Sequence, residues 1–142
     1  AVPGNFAFTG ATVSNASQNV GKDNAGNNIT VEDLRNGNSG FTLSVVASQF
    51  AGGSGNDTFA AANMNIKAQS ATPTTNSGAA LIGSGALPAD YAAIGTAYNF
   101  WTNGTTSIQE AGDWSVESDF GVIIPAFTPA GTYTSTVTFT LS

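Results

Sequence analysis

The feature that most constrains the fold is a strict alternation of residue types in residues 131–142, GTYTSTVTFTLS. Threonine occupies every even position from 132 to 140, and the odd positions carry mainly apolar side chains. Because successive side chains of a β-strand point to opposite faces, one set faces solvent and the other faces a core. The string FTLS recurs at residues 41–44, in a segment with the same alternation. Both segments are therefore predicted to be half-buried strands.

The rest of the chain has the same character. Further alternating segments lie at residues 6–8, 29–31, 64–68 and 114–124, and glycine-rich connections lie at residues 21–28, 36–40, 52–56 and 76–85. Residues 87–95 are predicted to form a short helix, because Pro88 suits a first helical position. Short strands without helical crossovers predict one all-β domain over residues 1–142. We expect an antiparallel β-sandwich of Greek-key or jelly-roll type, with at most one or two short helical turns.

Charged side chains make up only 8% of the residues, against about 25% in an ordinary soluble domain, and the net charge is −6. With three basic residues the chain cannot form a basic patch, so nucleic-acid binding is excluded. There is no apolar run long enough for a membrane span. The chain starts without Met, and we interpret it as a mature, secreted protein of the cell surface whose signal peptide has been removed.

The chain contains no Cys and no His, which excludes thiol catalysis and any His-based triad. A carboxylate pair of glycosidase type would have to come from the acidic residues Glu110, Asp113, Glu117 and Asp119. In the alternating segment 114–124, Glu117 and Asp119 lie opposite Trp114 and Phe120, which is typical of a solvated strand face. We therefore predict that the protein is not an enzyme and requires no cofactor.

Two stretches resemble the paired motifs of the WxL domain family of bacterial surface proteins. Residues 31–50, VEDLRNGNSGFTLSVVASQF, resemble the stretch around the first Trp-x-Leu motif, and residues 129–142, PAGTYTSTVTFTLS, resemble the A-G-T-Y stretch and closing strand. Phe41 and Phe139 stand where the family has Trp, which keeps an aromatic anchor but loses the indole N–H donor. The resemblance implies equivalent strands that share a core. Its motif residues are Phe41, Leu43, Phe139 and Leu141.

Calcium is the one metal for which the sequence offers ligands. Residues 52–60, GGSGNDTFA, match one copy of a calcium-binding β-roll nonapeptide, and residues 21–33 form an oxygen-rich loop. The candidate ligands are Asp23, Asn27, Glu32, Asp33 and Asp57. Glycine-rich turns without metal are the simpler alternative for both stretches, and both interpretations stay open.

An aromatic group at residues 98–101 offers a surface for stacking on sugars. Its members are Tyr98, Phe100 and Trp101, and a core or an interface is the alternative place for them.

Two functions are compatible with these observations. The first is a structural subunit that assembles into a pilus-like extracellular filament by β-strand complementation between copies, as a homopolymer. Residues 1–13 would then be the donor strand, with Val2, Phe6 and Phe8 as its apolar residues. The alternative, implied by the resemblance, is a WxL-like module that binds cell-wall glycan or a surface partner. We expect the filament, and the partner is then a second copy of the chain.

Overall fold

The computed structural model describes residues 2–5, 7–8, 10–22, 28–33, 41–75, 91–103 and 112–142. In chain order the strands of this part are β1 (Gln18–Lys22), β2 (Asn28–Asp33), β3 (Phe41–Ala47), β4 (Phe50–Gly52), β5 (Asp57–Phe59), β6 (Met64–Thr75), β7 (Ala92–Ala93), β8 (Tyr98–Asn103), β9 (Gly112–Ile124), β10 (Tyr133–Thr134) and β11 (Val137–Leu141). A turn of 3₁₀ helix, Ala61–Asn63, precedes β6. No helix in the described ranges is long and apolar enough to cross a membrane.

Strand β9 is the centre of the largest sheet. Strand β6 pairs along one edge of β9, and β1 and β2 divide the other edge between them. Strand β7 continues the sheet beyond β6, and every pair is antiparallel. The neighbours on both edges satisfy the backbone hydrogen bonds of β9, and its inner side chains pack into the core. Val116, Ser118 and Phe120 are all fully buried.

Two smaller antiparallel sheets complete the fold, with the strand orders β11-β3-β8 and β10-β4-β5. The buried side chains of β3 alternate as the sequence predicts: Phe41, Leu43 and Val45 face inward, and Thr42 and Ser44 are half-buried between them. The inward residues of β3 and β8 join those of β2, β6 and β9 in one hydrophobic core. The predicted antiparallel β-sandwich is confirmed.

Residues 131–142 do not form one continuous strand, as the alternation predicts, but two strands in different sheets. The chain passes from one sheet to the other between β10 and β11. The neighbouring strands β3 and β4 are divided between the same two sheets. Ser48 joins the two crossings, because its Oγ accepts a hydrogen bond from the Thr136 N–H at 2.9 Å and its carbonyl accepts one from Ser135 Oγ at 2.7 Å. The period of two continues through the crossing and cannot reveal it.

The predicted helix at residues 87–95 is wrong where the structure describes it. Residues 87–90 lie outside the described residues, and Ala92–Ala93 form strand β7 against β6. The Ile94 N–H donates to the Met64 carbonyl at 2.9 Å, and the Ala47 N–H donates to the Ile94 carbonyl at 2.7 Å. These bonds link the two main sheets, and long-range pairing of this kind overrides the local signal of Pro88.

Asp119 also departs from the sequence prediction of a solvated face. Its side chain is 3% exposed, whereas Glu117 on the same face is half-buried. Asp119 lies opposite Lys67 in the register of β9 with β6. Opposite charges at directly facing positions of a sheet attract each other. The prediction of a solvated face therefore fails at Asp119, and Glu117 is only partly exposed.

Candidate functional site

The two Phe-Thr-Leu-Ser segments are neighbours in the fold. Strands β3 and β11 pair antiparallel with Leu43 opposite Leu141, and Thr42 and Ser142 exchange two backbone hydrogen bonds of 2.8 and 3.0 Å. Phe41 and Leu43 are buried, and Phe139 is half-buried against the core. Leu141 is 50% exposed and departs from the expected shared core. The difference arises because β3 is a central strand and β11 lies at the edge of its sheet.

Two of the three aromatic residues of β8 lie in the core and not on a sugar-stacking surface. Phe100 and Trp101 are 0% and 1% exposed, and Tyr98 is half-buried. The register of β8 against β3 shifts at this point: Leu43 pairs with Trp101 and Ser44 pairs with Asn99. Phe100 is therefore the extra residue of a β-bulge, which allows two consecutive side chains to enter the core. The sugar-binding interpretation is wrong for Phe100 and Trp101, which lie in the core, and it stays a prediction for the half-buried Tyr98.

Trp101 stands directly beside the first motif. Its ring meets Phe41 edge to face, with centroids 5.1 Å apart and planes at 86°. The Trp101 Nε1–H is buried and has no hydrogen-bond partner among the described residues. An unsatisfied buried donor costs about 1–3 kcal/mol. The core thus retains an indole at β8, next to the position where the motif itself has Phe.

Two glycine turns support the loops at one end of the sandwich. A Cβ atom at Gly52 would collide with the Thr132 carbonyl oxygen, and one at Gly131 would collide with the Gly53 Cα. Both glycines have positive φ values, 154° and 156°. The Gly in the A-G-T-Y stretch is therefore explained by close backbone packing against the turn that follows β4.

Strand β10 presents Tyr133 at this end. Phe50 stacks on Phe59 at 4.3 Å, and Phe59 contacts Tyr133 at 5.2 Å, so a row of rings leads from the core to the surface. The Tyr133 hydroxyl donates to the Pro129 carbonyl at 3.0 Å. Burial raises the pKa of the phenol above its ordinary value, and the negative charge of Asp57 raises it further.

Replacing Asp57 should lower the pKa of Tyr133. A carboxylate nearby disfavours the phenolate, so Asp57→Asn removes one of the two causes and moves the pKa back toward the ordinary tyrosine value. A ¹³C NMR titration of labelled tyrosine would measure the change. Glu32→Gln, at an exposed acid on β2, is the control and should leave Tyr133 unchanged. An identical Tyr133 pKa in Asp57→Asn would contradict the assignment.

The connection from β9 to β10 carries the most exposed large apolar side chain of the described residues, Phe127, at 75%. Pro125 to Thr128 form a turn in which the Thr128 N–H and Oγ1 both bond to the Pro125 carbonyl, at 3.4 and 2.7 Å. Phe127 has φ of 60° at the third position of this turn, where type II turns favour Gly. The Phe127 N–H donates to the Ser14 carbonyl at 2.8 Å. The residue before Ser14 in the chain is Val13, which is also exposed.

A second exposed aromatic, Tyr91, lies on the outer face of the large sheet. Its ring passes over Gly121, where a Cβ would come within 3.5 Å of the ring edge. Lys67 Nζ lies 5.8 Å from the ring centroid. This group forms a cation–π contact within the protein, and it serves below as a comparison for Phe127.

The calcium candidates do not come together in the described residues. Asp23 and Asn27 lie outside these residues, as does the side chain of Asp33, and Glu32 is exposed on β2. Asp57 lies at the start of β5, beyond the turn that follows β4. Within the described ranges no three acidic side chains are grouped closely enough to hold a metal ion. Calcium binding stays a prediction.

These features define an all-β sandwich domain with polar, threonine-rich outer faces and ordered loops that display aromatic side chains. A family model described as "WxL domain surface cell wall-binding" matches residues 2–142. The chain therefore belongs to the WxL domain family, and the resemblance seen in its two motifs is confirmed. No curated protein and no solved structure matches the chain.

Proposed function

We propose that this chain is a cell-wall-binding domain displayed on the bacterial surface. The observation that carries the proposal is the family match over residues 2–142, whose description is surface cell wall-binding. The 8% charged composition and the threonine-rich faces suit contact with a neutral polysaccharide, for which ion pairs are not needed. The proposal assigns no catalytic role, and the family description speaks of binding. It also says nothing of assembly, so the filament stays a prediction.

Among the described surfaces, the β9–β10 connection is the best candidate for the surface that contacts the cell wall. A bulky residue in the left-handed region costs about 1–2 kcal/mol, and Phe127 recovers little of this by burial because its side chain is 75% exposed. Burial of its ring therefore does not offset this strain, and only the backbone bonds of the turn hold the conformation. An exposed ring on an ordered loop is suited to packing against the apolar face of a sugar ring.

Phe127→Gly should separate wall binding from stability. Glycine adopts the positive φ freely, so the free energy of unfolding should stay the same or rise by up to about 1 kcal/mol. Binding to isolated bacterial cell walls should fall several-fold, because the exposed ring is lost. The measurements are thermal unfolding and a saturation pull-down of monomeric protein on washed walls.

Tyr91→Ala is the matched control, since it removes an exposed aromatic ring from the outer face of the large sheet, away from the β9–β10 connection. It should leave wall binding unchanged. Saturable binding that is lost in Tyr91→Ala and kept in Phe127→Gly would move the contact surface to the large sheet. An absence of saturable binding by the unmodified domain would contradict the proposed function.

A further inference from the structure

The sheet that contains both motifs, with the strand order β11-β3-β8, carries no charged side chain in its strands. Neither β3, β8 nor β11 contains Asp, Glu, Lys or Arg. In the large sheet, by contrast, every strand except the two-residue β7 contains at least one charged residue. The net charge of −6 is therefore unevenly distributed, and the motif sheet is a neutral part of an acidic protein.

Polar side chains form two rows across the outer face of this sheet. Phe41, Leu43 and Val45 of β3 are buried, so the residues between them point outward. The registers with β11 and β8 place one outward residue of each neighbouring strand beside Thr42 and another beside Ser44. The first row is Ser142, Thr42 and Thr102, and the second row is Thr140, Ser44 and Asn99. We call these six residues the neutral face.

The neutral face is open to solvent. Its outer members, on β8 and β11, are exposed, and its central members on β3 are half-buried. The hydroxyls of Ser44 and Ser142 donate to backbone carbonyls of the neighbouring strand at 3.4 and 3.5 Å. In the described part of the chain, no hydrogen bond occupies the side-chain hydroxyl of Thr102 or Thr140. These two hydroxyls are therefore available to a ligand.

The dimensions and chemistry of the neutral face suit a sugar chain. Neighbouring strands lie about 4.8 Å apart and alternate residues of a strand about 7 Å apart, so the face spans about 10 Å by 7 Å. This is the scale of a short stretch of linked sugar rings. A threonine hydroxyl both donates and accepts hydrogen bonds, as a sugar hydroxyl does. The branched threonine side chain is stiff at χ1, so it loses little rotamer freedom when it binds.

The charge distribution favours one class of wall polymer over another. A polymer of phosphate or carboxylate groups is bound best by Arg or Lys, which form charge-assisted hydrogen bonds. The neutral face contains neither, and the net charge of −6 repels a polyanion. An uncharged glycan needs only hydroxyl and amide partners, and these are the groups that the neutral face displays.

We propose that the neutral face is a second wall-contact surface, which binds an uncharged glycan chain through its hydroxyl and amide groups. This inference rests on the proposed wall binding. It adds to the exposed ring of Phe127 a flat polar surface on a different element of the fold. It also requires that binding does not depend on the anionic polymers of the wall.

The test compares variants that differ in hydroxyl groups but keep the strands intact. Thr102→Val with Thr140→Val removes both available hydroxyls and keeps the branched shape. A saturation pull-down uses washed walls, before and after removal of their anionic polymers with hydrofluoric acid. We expect the parent chain to bind both preparations equally, and the double valine variant to bind both at least about fivefold more weakly.

Two further variants serve as controls, and thermal unfolding verifies that every variant is folded. Thr102→Ser with Thr140→Ser keeps both hydroxyls and should bind like the parent chain. Thr58→Val removes an exposed hydroxyl from β5, in another sheet, and should also bind like the parent chain.

Three results would overturn the inference and leave the proposed wall binding intact. The first is parent-like binding by the double valine variant. The second is an equal loss of binding in the valine and serine variants, which would assign the effect to shape. The third is a loss of parent binding once the anionic polymers are removed. An absence of saturable binding by the parent chain to untreated walls would instead overturn both the inference and the proposed function.

Discussion

Gly131→Ala is expected to lower the free energy of unfolding by about 3 kcal/mol, the combined cost of left-handed strain and overpacking. A Cβ at residue 131 would overlap the Cα of Gly53 and lie 3.1 Å from its carbonyl carbon. Both neighbours are backbone atoms, which cannot move aside by a change of rotamer. The φ of 156° at Gly131 adds to the cost. Urea unfolding followed by tryptophan fluorescence would measure the change.

Gly21→Ala is the matched control for this prediction. Gly21 lies in β1, and a Cβ there would meet nothing within 4 Å. This variant should be neutral or slightly stabilising, because alanine restricts the unfolded chain. Equal stability of the two variants would mean that the two glycine turns separate easily, and that the contact between residues 53 and 131 does not hold the loops together.

The second prediction concerns Trp101 and distinguishes its volume from its N–H group. Trp101→Ala should cost about 3–5 kcal/mol, since it leaves a large cavity beside Phe41. Trp101→Phe should cost no more than about 1.5 kcal/mol. It loses part of the ring, but it also removes a buried donor that has no partner in the described part of the chain. Chemical unfolding followed by circular dichroism suits both variants, because both lack the Trp101 fluorophore.

A large loss in Trp101→Phe, close to that of Trp101→Ala, would show that the indole N–H has a partner that stabilises the fold. Phe100→Leu is a useful comparison because it reduces the neighbouring side chain of the same bulge without a polar group. Phe100 is also fully buried, so its loss should scale with volume alone. Together the variants test whether the bulge in β8 provides most of the packing against the first motif.

Sequence alone determined the fold class, the family and much of the buried face of the first motif. Phe41, Leu43 and Val45 are buried at every second position of β3, as their sequence alternation predicts. The prediction is correct because the side of a strand to which a side chain points depends only on its position in that strand. The same rule places Ile29, Val31 and Ile66 in the core. The residues of the two motif stretches were sufficient to identify the family whose model matches residues 2–142.

Tertiary structure decided what depends on neighbours distant in sequence. Asp119 is buried although the alternation places it on the outer face, and Leu141 is exposed at the end of an edge strand. Phe100 and Trp101 both enter the core because a bulge breaks the alternation that would send one of them outward. Local periodicity specifies which residues share a face. Only strand order and register determine whether that face, or that edge, is covered.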